Sequence, residues 1–431
     1  MGWTWLSAVV IGSALVIPAR AQDDSALKDR VAQLVERLES PKIEARAAAE
    51  KALIELGAKA LPLLPEGTKK EAGDRDERLA RIRAALKEAQ ELSGLKGTTI
   101  TLKAKGLRLS EVLKTLQSKS GSTISDLREQ FGGDASNPTL DLSIEDRPFL
   151  AALDEVARKA GVSINYYTGD GSIGLMPSGN DRMAPSEDES LIRYEGPFRV
   201  ELQQYTTVRA YNAKQANGSI RFEVAWEPNL RPMLLALKAE DVEITDDRGK
   251  KIEPQVEQES TSVVLRPENP VAELNLNMAA PDRASQKLAK VKVKADVTVP
   301  ASIRTFRFPK LTAKRTKQTQ GDVTVTLLNT EIDEQNWMVS VEIAYEGGGP
   351  AFESYQQGLF NNRVFLQKPD GSVFEQNGGF NQIGGGDGKI AYEYIFVDAP
   401  GKIGDYQLVF ETPSKVVTIP LAFEFQDIPL P

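Results

Sequence analysis

The sequence predicts a multidomain α+β protein with an N-terminal helical repeat, a small duplicated βαβ module and two tandem β-sandwich domains. Three observations predict this fold class. Apolar residues near the N-terminus recur every three or four positions, which is typical of helices. A strand-helix-strand pattern then occurs twice at a fixed spacing. The second half consists of short alternating segments separated by turn residues, which indicates β-sandwiches.

The length of 431 residues also indicates several domains, because one domain averages about 150 residues. The predicted boundaries follow the changes in pattern along the chain. They are a signal peptide (1–21), a helical segment (22–96), the βαβ module (97–177), a linker (178–194) and two β-sandwiches (195–310 and 320–428).

The N-terminus has the pattern of a secretory signal peptide. Twelve apolar or small residues, Leu6 to Ile17, precede Pro18 and an A-x-A cleavage motif at Ala19-Arg20-Ala21. The run is shorter than the roughly 18 residues that a membrane-spanning helix needs. The first five residues contain no Lys or Arg, so an uncleaved anchor or a buried helix is the alternative. We expect export and a mature chain that starts at Gln22 without a transmembrane anchor.

The composition excludes most enzyme mechanisms. The chain has no Cys and no His, which removes thiolate nucleophiles, Ser-His-Asp triads and almost all catalytic zinc sites. With 53 Lys and Arg against 61 Asp and Glu, the net charge of -8 disfavours nucleic-acid binding. Only carboxylate-pair mechanisms such as glycoside hydrolysis remain, and no motif identifies such a pair. We therefore predict a non-enzymatic protein without a cofactor or a metal.

The segment after the signal is helical in type. A first apolar stripe ends at Ser40-Pro41, and a second helix runs to Gly57, a residue type common just after helices. The stretch SPKIEARAAAEKALIELGAKALPLL resembles one HEAT-type repeat, with Arg46 and the Ala and Leu positions where that pattern has them. Because such units need neighbours to bury both faces, one copy implies a packing or docking module. An unrelated helical hairpin is the alternative.

An internal repeat follows. Ile100 to Ile124 aligns without gaps to Leu140 to Ile164, at an offset of 40 residues (140 − 100). Each copy begins with alternating apolar residues, as in a strand, and continues with an apolar stripe at helical spacing. Gly121 and Gly161 are predicted to end the two helices before a return strand.

This segment, Thr98 to Pro177, resembles the small module at the N-terminus of secretins and TonB-dependent receptors (STN-like). The likeness rests on hydrophobic pattern. In that family the module makes protein-protein contacts in the periplasm, so the resemblance implies such contacts here. A generic ferredoxin-like βαββαβ fold is the alternative. A linker rich in Pro, Ser and acidic residues follows at Pro177 to Ser190.

The second half is predicted to be a tandem duplication. Val200 to Phe308 and Val323 to Phe425 share four sequence blocks in one order at nearly constant offset, which predicts one strand order for both copies. The matched blocks begin at Ile220 and Val339, Val242 and Val364, Val271 and Ile390, and Val297 and Val417.

Loops of the second copy are the first candidate binding site. Aromatic rings offer flat apolar faces and amides offer paired donors and acceptors, which together suit sugars or extended peptides. The alternative is that the rings cap the sandwich core. We expect the four rings at one end of the sandwich, with at least two faces exposed. The candidate residues are Phe352, Tyr355, Phe360, Asn361, Phe380 and Asn381.

A basic segment is the second candidate. Its Lys residues alternate with Val291 and Val293, so they share one face of a strand and suit an anionic partner. Lysines that protect an exposed strand edge from aggregation are the alternative. The candidate residues are Lys290, Lys292, Lys294, Arg304 and Arg307.

Together these features predict an exported, non-catalytic protein-protein interaction or scaffolding protein of the bacterial cell envelope, located in the periplasm. Its expected partner is another envelope protein. The first alternative is a carbohydrate-binding protein that uses the loops of the second sandwich, with a glycan as ligand. The second is a carboxylate-dependent glycosidase.

Overall fold

The computed structural model describes residues 19–65, 73–133, 135–178, 188–211, 216–255, 260–333, 335–347, 362–386 and 388–431. The chain divides into two compact units, Met1–Ser93 and Gly94–Pro431. Strands account for 49% of the structure and helices for 24%. The predicted α+β class is therefore wrong, because the protein is mainly β. No helix in the described part of the chain is long and apolar enough to cross a bilayer.

The first unit is helical. It contains α1 (Ala19–Arg37), α2 (Ile43–Glu55), a 3-10 turn (Ala58–Leu63) and α3 (Asp74–Gly94). Their apolar stripes meet in one core, and Arg78 Nη1 lies 2.7 Å from Glu50 Oε2. The α-helices have 19, 13 and 21 residues, and no helix pair recurs among the described residues. The prediction of an N-terminal helical repeat is therefore wrong: the helices bury their apolar faces against one another, in a single cluster.

The second unit begins with seven short elements. They are β1 (Thr99–Arg108), α4 (Leu109–Ser120), β2 (Ile124–Asp126), β3 (Thr139–Pro148), α5 (Phe149–Ala160), β4 (Val162–Asn165) and β5 (Ile173–Pro177). We call residues 99–177 the N-terminal module of this unit. Both helices end where expected, at Gly121 and Gly161, whose φ angles of 68° and 65° are left-handed and suit glycine.

The pairing of these strands differs from a duplicated βαβ module. β1 pairs with β3 in an antiparallel two-stranded sheet, whereas β2 and β4 both pair with β5 in a separate sheet. The strands on either side of each helix therefore lie in different sheets. A βαβ unit requires both strands in one sheet, so this part of the predicted fold class is also wrong.

The remaining strands form three sheets. Sheet I has the order β12-β8-β7-β6, with β6 (Ile192–Glu195), β7 (Phe198–Val208), β8 (Asn217–Trp226) and β12 (Val271–Ala279). Sheet II has the order β14-β15-β16-β20-β19, with β14 (Thr316–Gln320), β15 (Val323–Asp333), β16 (Asn336–Tyr345), β19 (Phe380–Gly386) and β20 (Lys389–Val397).

The third sheet, here called the shared sheet, packs against both of the others. It contains β9 (Leu234–Lys238), β10 (Val242–Asp246), β11 (Ser260–Val264), β13 (Lys287–Phe308), β17 (Arg363–Gln367), β18 (Val373–Glu375) and β21 (Gln407–Pro429). One core lies between sheet I and this sheet, and a second lies between sheet II and this sheet.

Two long strands join the cores. β13 and β21 pair antiparallel from Lys287 with Pro429 to Phe308 with Leu408. A 22-residue strand extends for about 70 Å, several times the usual length, so each strand crosses from one core to the other. Phe308, at the end of β13, lies in the second core, and Phe425, near the end of β21, lies in the first. The two cores therefore share their two longest strands.

The sheets of the two halves have matched registers. β7 and β8 pair with a bulge between Leu202 and Gln204, and β15 and β16 pair with a bulge between Leu327 and Asn329. The pairing of β13 with β21 is symmetric about Thr298 and Thr418, which lie opposite each other. The sequence alignment of β12 with β20 is wrong by one residue. Leu274, Leu276 and Met278 of β12 point into the first core, and their counterparts on β20 are Tyr392, Tyr394 and Phe396, which point into the second core.

Candidate functional site

The predicted aromatic and amide site is described only in part. Phe352, Tyr355, Phe360 and Asn361 lie outside the described residues. Phe380 is 43% exposed on β19 and lies opposite Tyr394, with the two ring centroids 5.9 Å apart. Asn381 follows it and lies opposite Glu393. Because successive strand residues point to opposite faces, Phe380 and Asn381 do not share a surface.

β19 is an exposed edge strand. All seven of its residues are exposed, none is charged, and they include Phe380 and Ile383, the latter 48% exposed. β19 pairs with β20 on one side, and no strand in the described part of the chain pairs with its other side. A Cβ atom at Gly384 would come no closer than 3.6 Å, to the Cβ of Ala391, which is ordinary van der Waals contact. Packing against the described residues therefore does not require glycine at this position.

The other edge of sheet II has a different character. β14 carries Lys317, and two of its glutamine side chains bond to the backbone of the shared sheet. Gln318 Nε2 donates to the carbonyl oxygen of Arg307 at 2.5 Å, and Gln320 Nε2 donates to that of Thr305 at 2.8 Å. A charge and these bonds protect this edge in the way usual for edge strands.

The basic residues lie on β13. Lys290 Nζ is 2.5 Å from Glu243 Oε1, and Lys292 lies opposite Glu243 on one side and Glu424 on the other. Lys294 is exposed. β13 is an inner strand here, between β10 or β9 and β21, so these lysines do not protect an edge.

Arg304 and Arg307 lie further along the same strand. Arg304 is half-buried and pairs with Thr412, whereas Arg307 is exposed and pairs with Val409. Three positions apart, they point to opposite faces of the strand. Lys294 and Arg304 are ten positions apart, or about 33 Å of extended chain. The structure therefore does not gather the five basic residues into one patch.

A buried ionic cluster connects the N-terminal module to sheet I. Arg199 on β7 is 2% exposed, and its Nε donates to Oδ2 of Asp154 on α5 at 2.7 Å. Its Nη2 lies 2.7 Å from Glu201 Oε2, and Tyr194 donates its hydroxyl to the same Asp154 oxygen. Burial opposes the charge on Arg199, but the Asp154 and Glu201 carboxylates outweigh it and hold the pKa of the guanidinium above its ordinary value.

Two tyrosines of the module extend this cluster. Burial raises the pKa of Tyr166 well above its ordinary value, and the Asp154 carboxylate adds to the shift. Tyr167 is 48% exposed, and its hydroxyl donates to Glu223 Oε2 at 3.4 Å. Burial and the Glu223 carboxylate raise the pKa of Tyr167 to about 12, so the hydroxyl stays a proton donor at neutral pH.

Glutamates form a row across three strands of sheet I. Glu201, Glu223 and Glu273 lie directly opposite one another on β7, β8 and β12. Like charges in such positions destabilise a sheet unless cations offset them. Arg199 offsets Glu201, and Arg221 Nη1 lies 4.0 Å from Glu273 Oε1. Burial raises the pKa of Glu223.

The two central members of this cluster are far apart in the sequence. Asp154 and Arg199 are 45 positions apart, and no periodicity in the sequence connects them. The one available signal was an aspartate within the apolar stripe of α5, at a position that helical spacing places in the core. Within the described residues, no group of three or more Asp and Glu side chains could hold a metal ion.

The similarities noted in the sequence rest mainly on hydrophobic pattern, which unrelated helices and strands also share. No protein-family model matches the chain, and no curated protein matches it in sequence.

Proposed function

We propose that this chain is an exported, non-catalytic protein-binding module of the bacterial cell envelope, and that β19 binds an extended segment of its partner by strand addition. The observation that carries the proposal is the uncharged, fully exposed edge of sheet II. Edge strands normally carry charge or are covered, because free backbone donors and acceptors pair with other chains. An edge without that protection suits a partner strand.

The side chains of β19 specify the chemistry of the partner. Gly384 and Gly386 carry no side chain where a Cβ would have room, so large side chains of an added strand could pack over them. Phe380 supplies an apolar contact at the other end, beside Tyr392 at 5.9 Å between ring centroids. The partner segment is therefore extended, uncharged and rich in β-branched or aromatic residues.

Labelled peptides of about ten residues, with Thr alternating with Val or Tyr, test this proposal by fluorescence anisotropy. Gly384→Lys places a charge on the β19 edge, where the Cβ has room. We expect it to weaken binding by about tenfold, or 1.4 kcal/mol. Thr319→Lys on β14 is the matched control at the other edge of the same sheet, and it should leave binding unchanged.

Equal losses in both variants, or no binding of any peptide, would refute strand addition at β19. Hydrogen exchange supplies a second readout, because the amides of residues 380–386 that do not pair with β20 should become protected only when peptide is present. Self-association that Gly384→Lys abolishes would mean that the partner strand is a second copy of this chain, which also contradicts the proposal.

Export is supported by the apolar run Leu6 to Ile17 and the A-x-A motif after it. Protein recovered from the periplasm of an expressing bacterium should begin at Gln22. N-terminal sequencing checks this, and recovery of a chain that still begins at Met1 would contradict it. Replacing Ala21 with a bulky residue should block cleavage and retain the longer form.

A further inference from the structure

An open cavity of about 430 Å3 lies at the end of sheet I that is remote from the ionic cluster. Among the described residues, the side chains that line it are uncharged, although charged residues make up 26% of the chain. Amides and hydroxyls predominate, with one aliphatic side chain. The lining includes Thr206, Val208, Asn217, Ser219, Gln255 and Asn277.

Strand register brings three of these side chains into one row. Thr206 lies opposite Ser219, which lies opposite Asn277, on the outward face of β7, β8 and β12. Among the described residues, one hydrogen bond joins side chains of the cavity, from Gln255 Nε2 to Asn217 Oδ1 at 3.4 Å. The hydroxyls of Thr206 and Ser219 and the amide of Asn277 are therefore available to a ligand.

The outward face of sheet I continues the polar surface along β8. The next row consists of Gln204, Arg221 and Asn275, and the row after it contains Glu223, beside the half-exposed ring of Tyr167. Ser219 and Glu223 are four positions apart on the strand, which is about 13 Å. The cavity thus lies at one end of a strip that has an aromatic ring at the other end.

We propose that this strip binds a neutral oligosaccharide, a function beyond the protein-binding role of β19. Amide, hydroxyl and carboxylate groups pair with sugar hydroxyls, and Tyr167 offers a ring face to the apolar side of a sugar. Glu223 and Glu273 face the strip, and Arg221 and the buried Arg199 each lie 4.0 Å from one of these carboxylates, so a polyanionic glycan is disfavoured. β8, in the middle of the strip, is an inner strand whose backbone already pairs on both sides, so a peptide cannot add to the sheet along this strand.

Calorimetry with cellotetraose, maltotetraose and chitotetraose, against a tetramer of galacturonic acid, tests the proposal. We expect at least one neutral sugar to bind, and Asn277→Ala and Tyr167→Ala each to weaken it by about tenfold. Asn329→Ala is the control, because Asn329 occupies on sheet II the register position that Gln204 has on sheet I. An unchanged tryptophan signal in near-ultraviolet circular dichroism, from Trp226 and Trp337, would show that the variants fold.

No binding of any neutral sugar at millimolar concentration, a preference for the acidic tetramer, or equal losses in Asn277→Ala and Asn329→Ala would overturn the proposal. Gly384→Lys should bind sugar as the wild type does, since β19 belongs to the other half of the unit. New reducing ends in the same samples would contradict the non-catalytic role, yet they would support sugar binding on this strip.

Discussion

The two halves of the second unit place different side chains on the same backbone framework. In sheet I, Thr206, Ser219 and Asn277 form a neutral polar row. The matched row of sheet II consists of Glu331, Met338 and Ile395, with an acid and two apolar side chains. Since both rows have the same strand pairing, backbone geometry does not decide which face can bind a polar ligand. The outward side chains decide it, as sites generally do on a common fold.

The coverings of the two sheets also differ. The N-terminal module packs on the outward face of sheet I, where Ala225 and Val271 join its core and Arg199 meets Asp154. At the positions that match Arg199 and Ala225, sheet II has Thr324 and Ala344. Sheet II is instead extended sideways by β19. Sheet I is therefore covered on its outward face by the N-terminal module, whereas sheet II has an additional edge strand.

The largest expected effect comes from removing residues 421–431, which lie at the end of β21 but complete the first core. The deletion removes Leu421, Phe423, Phe425 and Ile428. At about 1.5–3 kcal/mol for each buried side chain, the loss is similar to the whole stability of a domain, about 5–15 kcal/mol. We expect the first core to unfold, although the deleted residues follow the second half in sequence.

Tryptophan emission distinguishes the two cores in this experiment. A chain that starts at Gln22 retains Trp226, in the first core, and Trp337, in the second. In single-tryptophan variants of the truncated chain, Trp226 emission should shift to longer wavelength more than Trp337 emission. A shift confined to Trp337 would mean that the halves are independent and that the comparison of two sheets on one shared sheet is wrong.

A smaller loss is expected at the ionic cluster that only sheet I has. Asp154→Ala leaves the buried Arg199 with fewer anions, which typically costs about 3–5 kcal/mol of unfolding free energy. Thr324→Ala, at the position matching Arg199, should change stability by less than about 0.5 kcal/mol. Urea unfolding measures both. A double variant, Asp154→Ala with Arg199→Met, should recover much of the loss, and equal effects of the two single variants would contradict the comparison.

The smallest expected effect is a pH-dependent one at matched glutamates. Burial raises the pKa of Glu223 in the folded chain, so a destabilisation develops as the pH rises above the pKa of the unfolded chain and is complete above the raised pKa. Below the pKa of the unfolded chain the penalty is absent. Glu223→Gln should therefore increase stability at about pH 8 and have little effect at about pH 4.

The matched variant on sheet II is Glu342→Gln, which removes a partner that lies 3.6 Å from Lys389. That pair is partly exposed, so stability should change by less than about 1 kcal/mol at either pH. Urea midpoints at the two pH values measure both variants. If Glu223→Gln increased stability at about pH 4 but not at about pH 8, the pH dependence would be opposite to the one expected. That result would contradict the inference that burial of the Glu223 charge destabilises the fold.

Local features of the fold were predictable from the sequence. The periodicity of residues 100–124 and 140–164 identified α4 and α5, and Gly121 and Gly161 ended them as expected, because a left-handed residue is a local requirement. Alternation likewise identified β8 and β16. Absence of His and Cys is a property of composition alone, so it limits the possible chemistry whatever the fold.

Tertiary structure alone decided how these elements combine. Alternation shows that one face of a strand is apolar but not which sheet covers it, so the sharing of β13 and β21 by two cores was not visible. The same limit applies to the sites. Thr206, Ser219 and Asn277 meet because three strands pair, and Asp154 meets Arg199 because a helix packs on a sheet. Contacts between residues far apart in the chain depend on packing of the whole unit, which local pattern does not encode.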